Sequence, residues 1–139
     1  MALDMGFEQT GGGDGTTVIT LTGELDASNF TELIEAGRRL HADGTRRIVL
    51  DLAGLSFLAS SGLVALHSLI RILRGEAPPD PEEGWGAIHS LEFDVSGGGA
   101  QDEVVLVAPQ AAVDRVLERT GLKRLFRVHA DRSAALADA

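Results

Sequence analysis

Asp51-Leu52-Ala53-Gly54-Leu55-Ser56-Phe57-Leu58-Ala59-Ser60-Ser61-Gly62-Leu63 is the stretch on which the reading of this chain turns. It leaves the run Arg46 to Leu52, RRIVLDL, which has strand length and, after its two arginines, suits a strand covered on both faces. It enters Ser60 to Arg74, where Leu63, Leu66, His67, Ile70 and Leu73 recur at steps of three and four and Arg71 and Arg74 stand near the end. A buried strand therefore runs into a helix. Ser60 or Ser61 is the natural N-cap, because a serine oxygen can accept from the first N–H groups of a helix, which have no partner within it.

Upstream, Leu3 to Gln9 and Thr17 to Thr22 read as two strands of a hairpin turned by Gly11-Gly12-Gly13-Asp14-Gly15. After the corner Gly23-Glu24-Leu25-Asp26, either Asp26 or Ser28 can cap a helix with Phe30, Leu33, Ile34, Ala36 and Leu40 near one face, ending around Asp43-Gly44. Downstream, Gly75 to Asp102 breaks the pattern with three prolines, several acids and Gly97-Gly98-Gly99, as an insertion or mobile loop. Within it Ile88 to Val95 reads either as a short strand or as disordered chain. Val104 to Val107 resumes a buried strand, and Gln110 to Thr120 forms a helix stopped by Gly121. Leu125 to His129 is a last strand, and Asp131 caps a terminal helix carrying Ala134, Ala135 and Leu136. The order β-β-α-β-α-β-α-β-α predicts an α/β fold, a mixed but mainly parallel sheet of about five strands with helices packed against it. A single domain over residues 1–139, with the insertion at about 75–102, is expected.

Composition removes several function classes. Hydrophobic residues at 44% and charged residues at 24% are ordinary for a globular chain, so 139 residues suffice for a folded core. No apolar run approaches the roughly 20 residues of a bilayer span, and the N-terminus lacks the basic and then apolar order of a secretory signal. A cytoplasmic location and no membrane partner are expected. With no cysteine, disulfides, thiolate catalysis and cysteine-ligated metals are excluded. A net charge of -9 without a stripe of Lys and Arg argues against direct nucleic-acid binding.

Enzymatic constellations are missing as well. His41, His67, His89 and His129 stand in different elements without ligand spacing, so no metal is expected, and His67 reads as a core residue. Neither triglycine continues into a phosphate loop, and Gly54 and Gly62 lack the dinucleotide spacing, so no cofactor is expected. No nucleophile has an evident base beside it, which argues against an enzyme. A phosphate on a serine at the start of the second helix would meet free N–H groups and the positive end of the dipole. It would add about -1.5 to -2 charges and act mainly on whatever protein docks there. The plainer reading is that Ser60 and Ser61 only cap the helix.

Gly23-Glu24-Leu25-Asp26, Ile48-Val49-Leu50-Asp51-Leu52 and Leu55-Ser56-Phe57-Leu58-Ala59-Ser60-Ser61-Gly62-Leu63, followed by Val104 to Val107 and Leu117 to Arg127, resemble in order and spacing the STAS domain family. That family is shared by sulfate transporters and anti-sigma factor antagonists. The resemblance implies an antagonist that binds an anti-sigma factor serine kinase and is released on phosphorylation. It places the phosphoacceptor at Ser60 and a partner-binding surface at Asp26, Ser60, Ser61 and Gly62. Ala59 departs from the pattern, which has aspartate there. An adaptor subunit, or a domain sensing a small ligand or nucleotide without phospho-switching, is the alternative.

Overall fold

The computed structural model describes residues 3–9, 15–75 and 101–137. In chain order these form β1 (Leu3–Gln9), β2 (Thr16–Leu25), α1 (Phe30–Ala42), β3 (Arg47–Leu58), α2 (Ser60–Leu73), β4 (Gln101–Val107) and α3 (Ala111–Thr120). A 3-10 turn (Leu122–Leu125), β5 (Phe126–His129) and α4 (Arg132–Ala137) complete them. The expected order of strands and helices is observed. The triglycines, most of the hairpin turn and the possible strand Ile88 to Val95 lie outside the described residues.

The five strands stand in the order β1-β2-β3-β4-β5. β1 is antiparallel to β2, and the other three pairings are parallel. Because β2 to β5 advance across the sheet in one direction, right-handed crossovers bring α1, α2 and α3 to the same face. The main core follows from this. Ile19, Leu21, Ile48, Leu50, Leu52 and Leu106 on the strands form one buried cluster with Leu33 of α1, Leu66 and Leu69 of α2, and Val113 and Leu117 of α3. The alternate residues Val18, Val49, Val105 and Val107 point the other way and pack against Ala135 of α4. Hence the central strands read as continuous apolar runs, as both faces are covered there.

Several boundaries differ from the sequence expectation. β3 does not stop at Leu52 but continues to Leu58, and β2 absorbs most of the corner at Gly23. The two extensions pair with each other, Gly23 with Leu55, Glu24 with Phe57 and Leu25 with Leu58, after register shifts that put Leu52, Leu55 and Leu58 three residues apart. All three leucines are buried in the main cluster. A spacing of three conceals a strand from any search for alternation. At the irregularity the backbone of Ala53 finds side-chain partners: its N–H donates to Asp51 Oδ1 at 3.0 Å, and its carbonyl accepts from Gln110 Nε2 at 2.7 Å. β4 begins at Gln101, inside the expected insertion, and Leu125 belongs to the 3-10 turn rather than to β5.

α4 is a short helix whose start is bonded as expected, with Ala134 N–H donating to Asp131 Oδ1 at 2.8 Å. Its Arg132 reaches across the sheet, Nε to Asp51 Oδ2 at 2.7 Å, Nη1 to Glu8 Oε2 at 2.8 Å and Nη2 to Thr20 Oγ1 at 2.6 Å. One guanidinium thus joins β1, β2 and β3.

The packing of α1 on α2 depends on Gly37, where an added Cβ would lie 2.4 Å from Leu69 Cδ2. Leu69 is fully buried, so the neighbour has little room to yield. Gly37→Val is expected to lower stability by about 1–3 kcal/mol through overpacking. A urea midpoint that falls at constant slope would show it; an unchanged midpoint would contradict the packing described.

Candidate functional site

Parallel pairing brings the carboxyl ends of β2 and β3 to the same edge of the sheet, with Leu25 opposite Leu58. One residue later Ala59 N–H donates to the Leu25 carbonyl at 2.9 Å, which fixes the exit of one strand against the exit of the other. Asp26 follows directly on the first and Ser60 on the second. The two expected site residues, 34 positions apart in sequence, therefore leave from neighbouring points of one ledge.

Ser60 is exposed and is the first residue of α2. Neither serine is the cap, contrary to the expectation. Ala59 holds that position in extended geometry, φ -87 and ψ 169, and supplies no side-chain bond. The reason lies in β3, whose pairing runs to Leu58 and leaves Ala59 as the only residue between strand and helix. The first turn closes from Leu63 N–H to the Ala59 carbonyl at 3.3 Å. Helix geometry leaves the N–H groups before Leu63 without carbonyl partners in the helix, and no acidic residue stands in that turn.

Ser61 is half-buried, and Gly62 is buried beneath the ledge. A Cβ on Gly62 would lie 2.6 Å from Leu58 Cδ1 and 3.0 Å from Leu25 Cγ. The glycine thus lets α2 start in contact with both strands. Of the four candidates, Asp26, Ser60 and Ser61 have accessible surface, and Gly62 packs under them.

The Asp26 loop is built by a residue the sequence reading did not single out. Asn29, 3% exposed, accepts from Asp26 N–H at 2.9 Å through Oδ1 and donates from Nδ2 to the Glu24 carbonyl at 2.9 Å. It also occupies the position before α1 expected for Asp26 or Ser28, but makes no side-chain cap bond because its amide is committed to the loop. The Asp26 carbonyl receives Phe30 N–H at 2.9 Å. Its carboxylate accepts from the Ser28 hydroxyl and from Ser28 N–H. These two bonds, the hydroxyl first, hold the Asp26 carboxyl below the ordinary range, so it presents a fixed negative charge. The signal in the sequence was an Asp-x-Ser-Asn run, which favours such side-chain-to-backbone turns.

Phe57 was also missed. It is 45% exposed, pairs with Glu24 and stands on the sheet side facing away from α1 and α2, beside the ledge. An apolar residue in a strand reads as core unless the register shift before it is known. His67 is 1% exposed within α2, in keeping with a core position. Among the described residues no group of His, Asp or Glu side chains is arranged to hold a metal ion, and no helix is long and apolar enough to cross a membrane.

Residues 9–77 match a family model described as Mlab, STAS domain. Among solved structures, an anti-sigma factor antagonist from Mycobacterium paratuberculosis is similar at a TM-score of 0.68 and 23% identity, over 99% of this chain and 93% of that one. The anti-sigma factor antagonist SpoIIAA in its unphosphorylated form is similar at 0.68 and 20% identity, over 97% and 95%. The Bacillus cell fate determinant SpoIIAA in its phosphorylated form is similar at 0.61 and 19% identity, over 97% and 98%. The five-stranded mixed sheet with its helices is the fold they share.

A depressed carboxyl pKa stabilises the folded loop above the unfolded value, and that stabilisation is lost as pH falls through the folded one. Ser28→Ala removes the largest cause of the depression and is expected to move Asp26 up towards an ordinary carboxylate. Carboxyl-carbon NMR titration reads this directly, and an unmoved Asp26 titration would exclude the Ser28 hydroxyl as the cause.

Proposed function

We propose that this chain, which belongs to the STAS domain family, is an anti-sigma factor antagonist. It binds an anti-sigma factor serine kinase in the cytoplasm through one STAS-like domain and is released when Ser60 is phosphorylated. The observation that carries the reading is the exposed Ser60 at the first position of α2, on the same ledge as an Asp26 carboxylate already held in place. Antagonism is named for the neighbours from Mycobacterium paratuberculosis and for SpoIIAA, and SpoIIAA is described in both phosphorylation states.

The geometry suits a charge switch. Without phosphate, the partner meets Asp26, Ser60 and Ser61 as a small polar surface, and the bonds within the Asp26 loop spare it the cost of ordering that carboxylate. With phosphate, about -1.5 to -2 charges arrive at the start of α2, where free N–H groups and the dipole tolerate them. The fold is undisturbed, and the docked protein bears the repulsion and the lost complementarity. Ala59 leaves no carboxylate adjoining Ser60 in sequence to oppose the added phosphate. The same Ala59 favours a second reading, a STAS adaptor that binds its partner constitutively with Ser60 unmodified.

Incubation with the cognate kinase and ATP, followed by mass mapping, is expected to place one phosphate on Ser60. Ser60→Asp is expected to weaken partner binding at least tenfold, about 1.4 kcal/mol, while Ser60→Ala keeps it. Equal binding by both variants, with Ser60 unmodified by an active kinase, would sink the switch and leave the adaptor.

A further inference from the structure

β1 forms one edge of the sheet, and among the described residues no strand pairs with its outer side. Exposed edges of soluble proteins are usually blunted by shortness, charged side chains, proline or a bulge, because their free N–H and C=O groups will otherwise template another strand. β1 is neither short nor broken by proline or a bulge, and its two charges, Asp4 and Glu8, fall on one side. It is seven residues long, contains neither proline nor lysine, and holds an uninterrupted register with β2 from Leu3 opposite Gly23 to Gln9 opposite Thr17. The opposite edge, β5, is only four residues long. β1 also carries Phe7, 48% exposed, one of two large apolar side chains left open among the described residues.

The two faces of β1 differ in chemistry. Leu3, Met5 and Phe7 lie on the helix side, where Leu3 and Met5 pack against the main core. Asp4 and Glu8 lie on the other side, with Gly6 between them. Two copies of one strand can pair antiparallel about a two-fold axis only if the axis is perpendicular to the sheet. Facing residue numbers then sum to an even value, since facing side chains share a side. A sum of eight sets Asp4 against its own copy, and a sum of twelve sets Asp4 against Glu8 twice; both oppose like charges. A sum of fourteen joins Phe7 to Phe7 but leaves Leu3 beyond the pairing and Met5 against Gln9. A sum of ten places Leu3 against Phe7 at both ends, Met5 against Met5 at the centre, and Asp4 against Gly6. It covers the exposed ring with a side chain already rooted in the core, and opposes no charges. Glu8 then lies outside the paired residues and remains engaged by Arg132 at 2.8 Å.

We infer that β1 pairs antiparallel with β1 of a second copy, centred on Met5, to make a homodimer with one continuous ten-stranded sheet. The contact is an edge rather than a broad face, so the dimer is weak and reversible. Salt strengthens it by screening the repulsion between two copies of net charge -9. The ledge at Asp26 and Ser60 takes no part, so the inference stands apart from the kinase-binding reading.

The absence of native cysteine allows a test that reads the register itself. Facing residues lie about 4.5–5.5 Å apart between Cα atoms, within the span a disulfide accepts. Met5→Cys is therefore expected to form a disulfide-linked dimer on mild oxidation. Leu3→Cys or Phe7→Cys alone is not, because each would meet its own copy four residues away, roughly 14 Å. A mixture of those two variants is expected to link one to the other. Sedimentation of the unmodified chain at about 0.5 mM, a range suited to weak contacts, is expected to show dimer, and Met5→Glu to show monomer with an unchanged circular dichroism spectrum. A chain that stays monomeric at that concentration overturns the proposal. So does efficient self-linking of Phe7→Cys, or a dimer that survives Met5→Glu.

Discussion

Everything at the candidate site hangs on the parallel pairing of β2 with β3 at their carboxyl ends. Leu25 faces Leu58, and the next N–H, that of Ala59, closes onto the Leu25 carbonyl at 2.9 Å. Two exits from the sheet are thereby held side by side, one leading into the Asp26 turn and the other into α2. In open α/β sheets the carboxyl ends of parallel strands are where loops and helix starts converge, so this edge is where such folds place chemistry. Here the loops are short and the charges few. Among the described residues the ledge consists of a fixed carboxylate, an uncapped helix start and a neighbouring exposed ring.

The one-directional order of the strands has a second effect, on the division of the hydrophobic residues. Three crossover helices fall on one face, and the burial there is large, with Ile19, Leu50, Leu52, Leu66, Leu69 and Leu117 all sealed from solvent. Among the described residues the other face receives only α4, and its apolar patch shrinks to valines with Ala135. Beyond the valines under Ala135 that face turns polar, with Thr20 and Asp51 bonded to Arg132 at the start of α4, and with Thr22 exposed. Composition and topology agree: apart from the exposed Phe57, the described strands are apolar on both sides where both sides are covered.

Element order and sheet class were legible in the sequence, for reasons that can be named. The periodicity of Leu63, Leu66, Ile70 and Leu73 marks α2, and the doubly buried runs at Ile48 and Val104 mark central strands. What was not legible depends on the third dimension. Leu52, Leu55 and Leu58 fall three apart because a shifted register lets one strand skip a pair, and no local rule reads that as strand. The length of β3 in turn decides that Ala59, not a serine, precedes α2. Asn29 escaped notice because its two bonds reach backbone groups brought together only by the turn it builds. Phe57 was not singled out because its strand was expected to end at Leu52, and its side of the sheet is set by the shift. The resemblance of Gly23 to Asp26 and Leu55 to Leu63 to the family pattern singled out Asp26 and Ser60 as candidates. It carried no information on how their surroundings hold them.

Arg132 shows how local and distant contacts divide the work of folding. Each crossover unit joins strands separated by one helix, so its loop-closure cost is modest and its pairing can begin early. The Arg132 bridge to Glu8 spans 124 positions, and its three partners sit on three different strands. The guanidinium has no complete set of acceptors until β1, β2 and β3 already lie abreast. It cannot guide the assembly of the sheet; it registers that the assembly is finished, and seals the last helix against the first strand once the rest is in place.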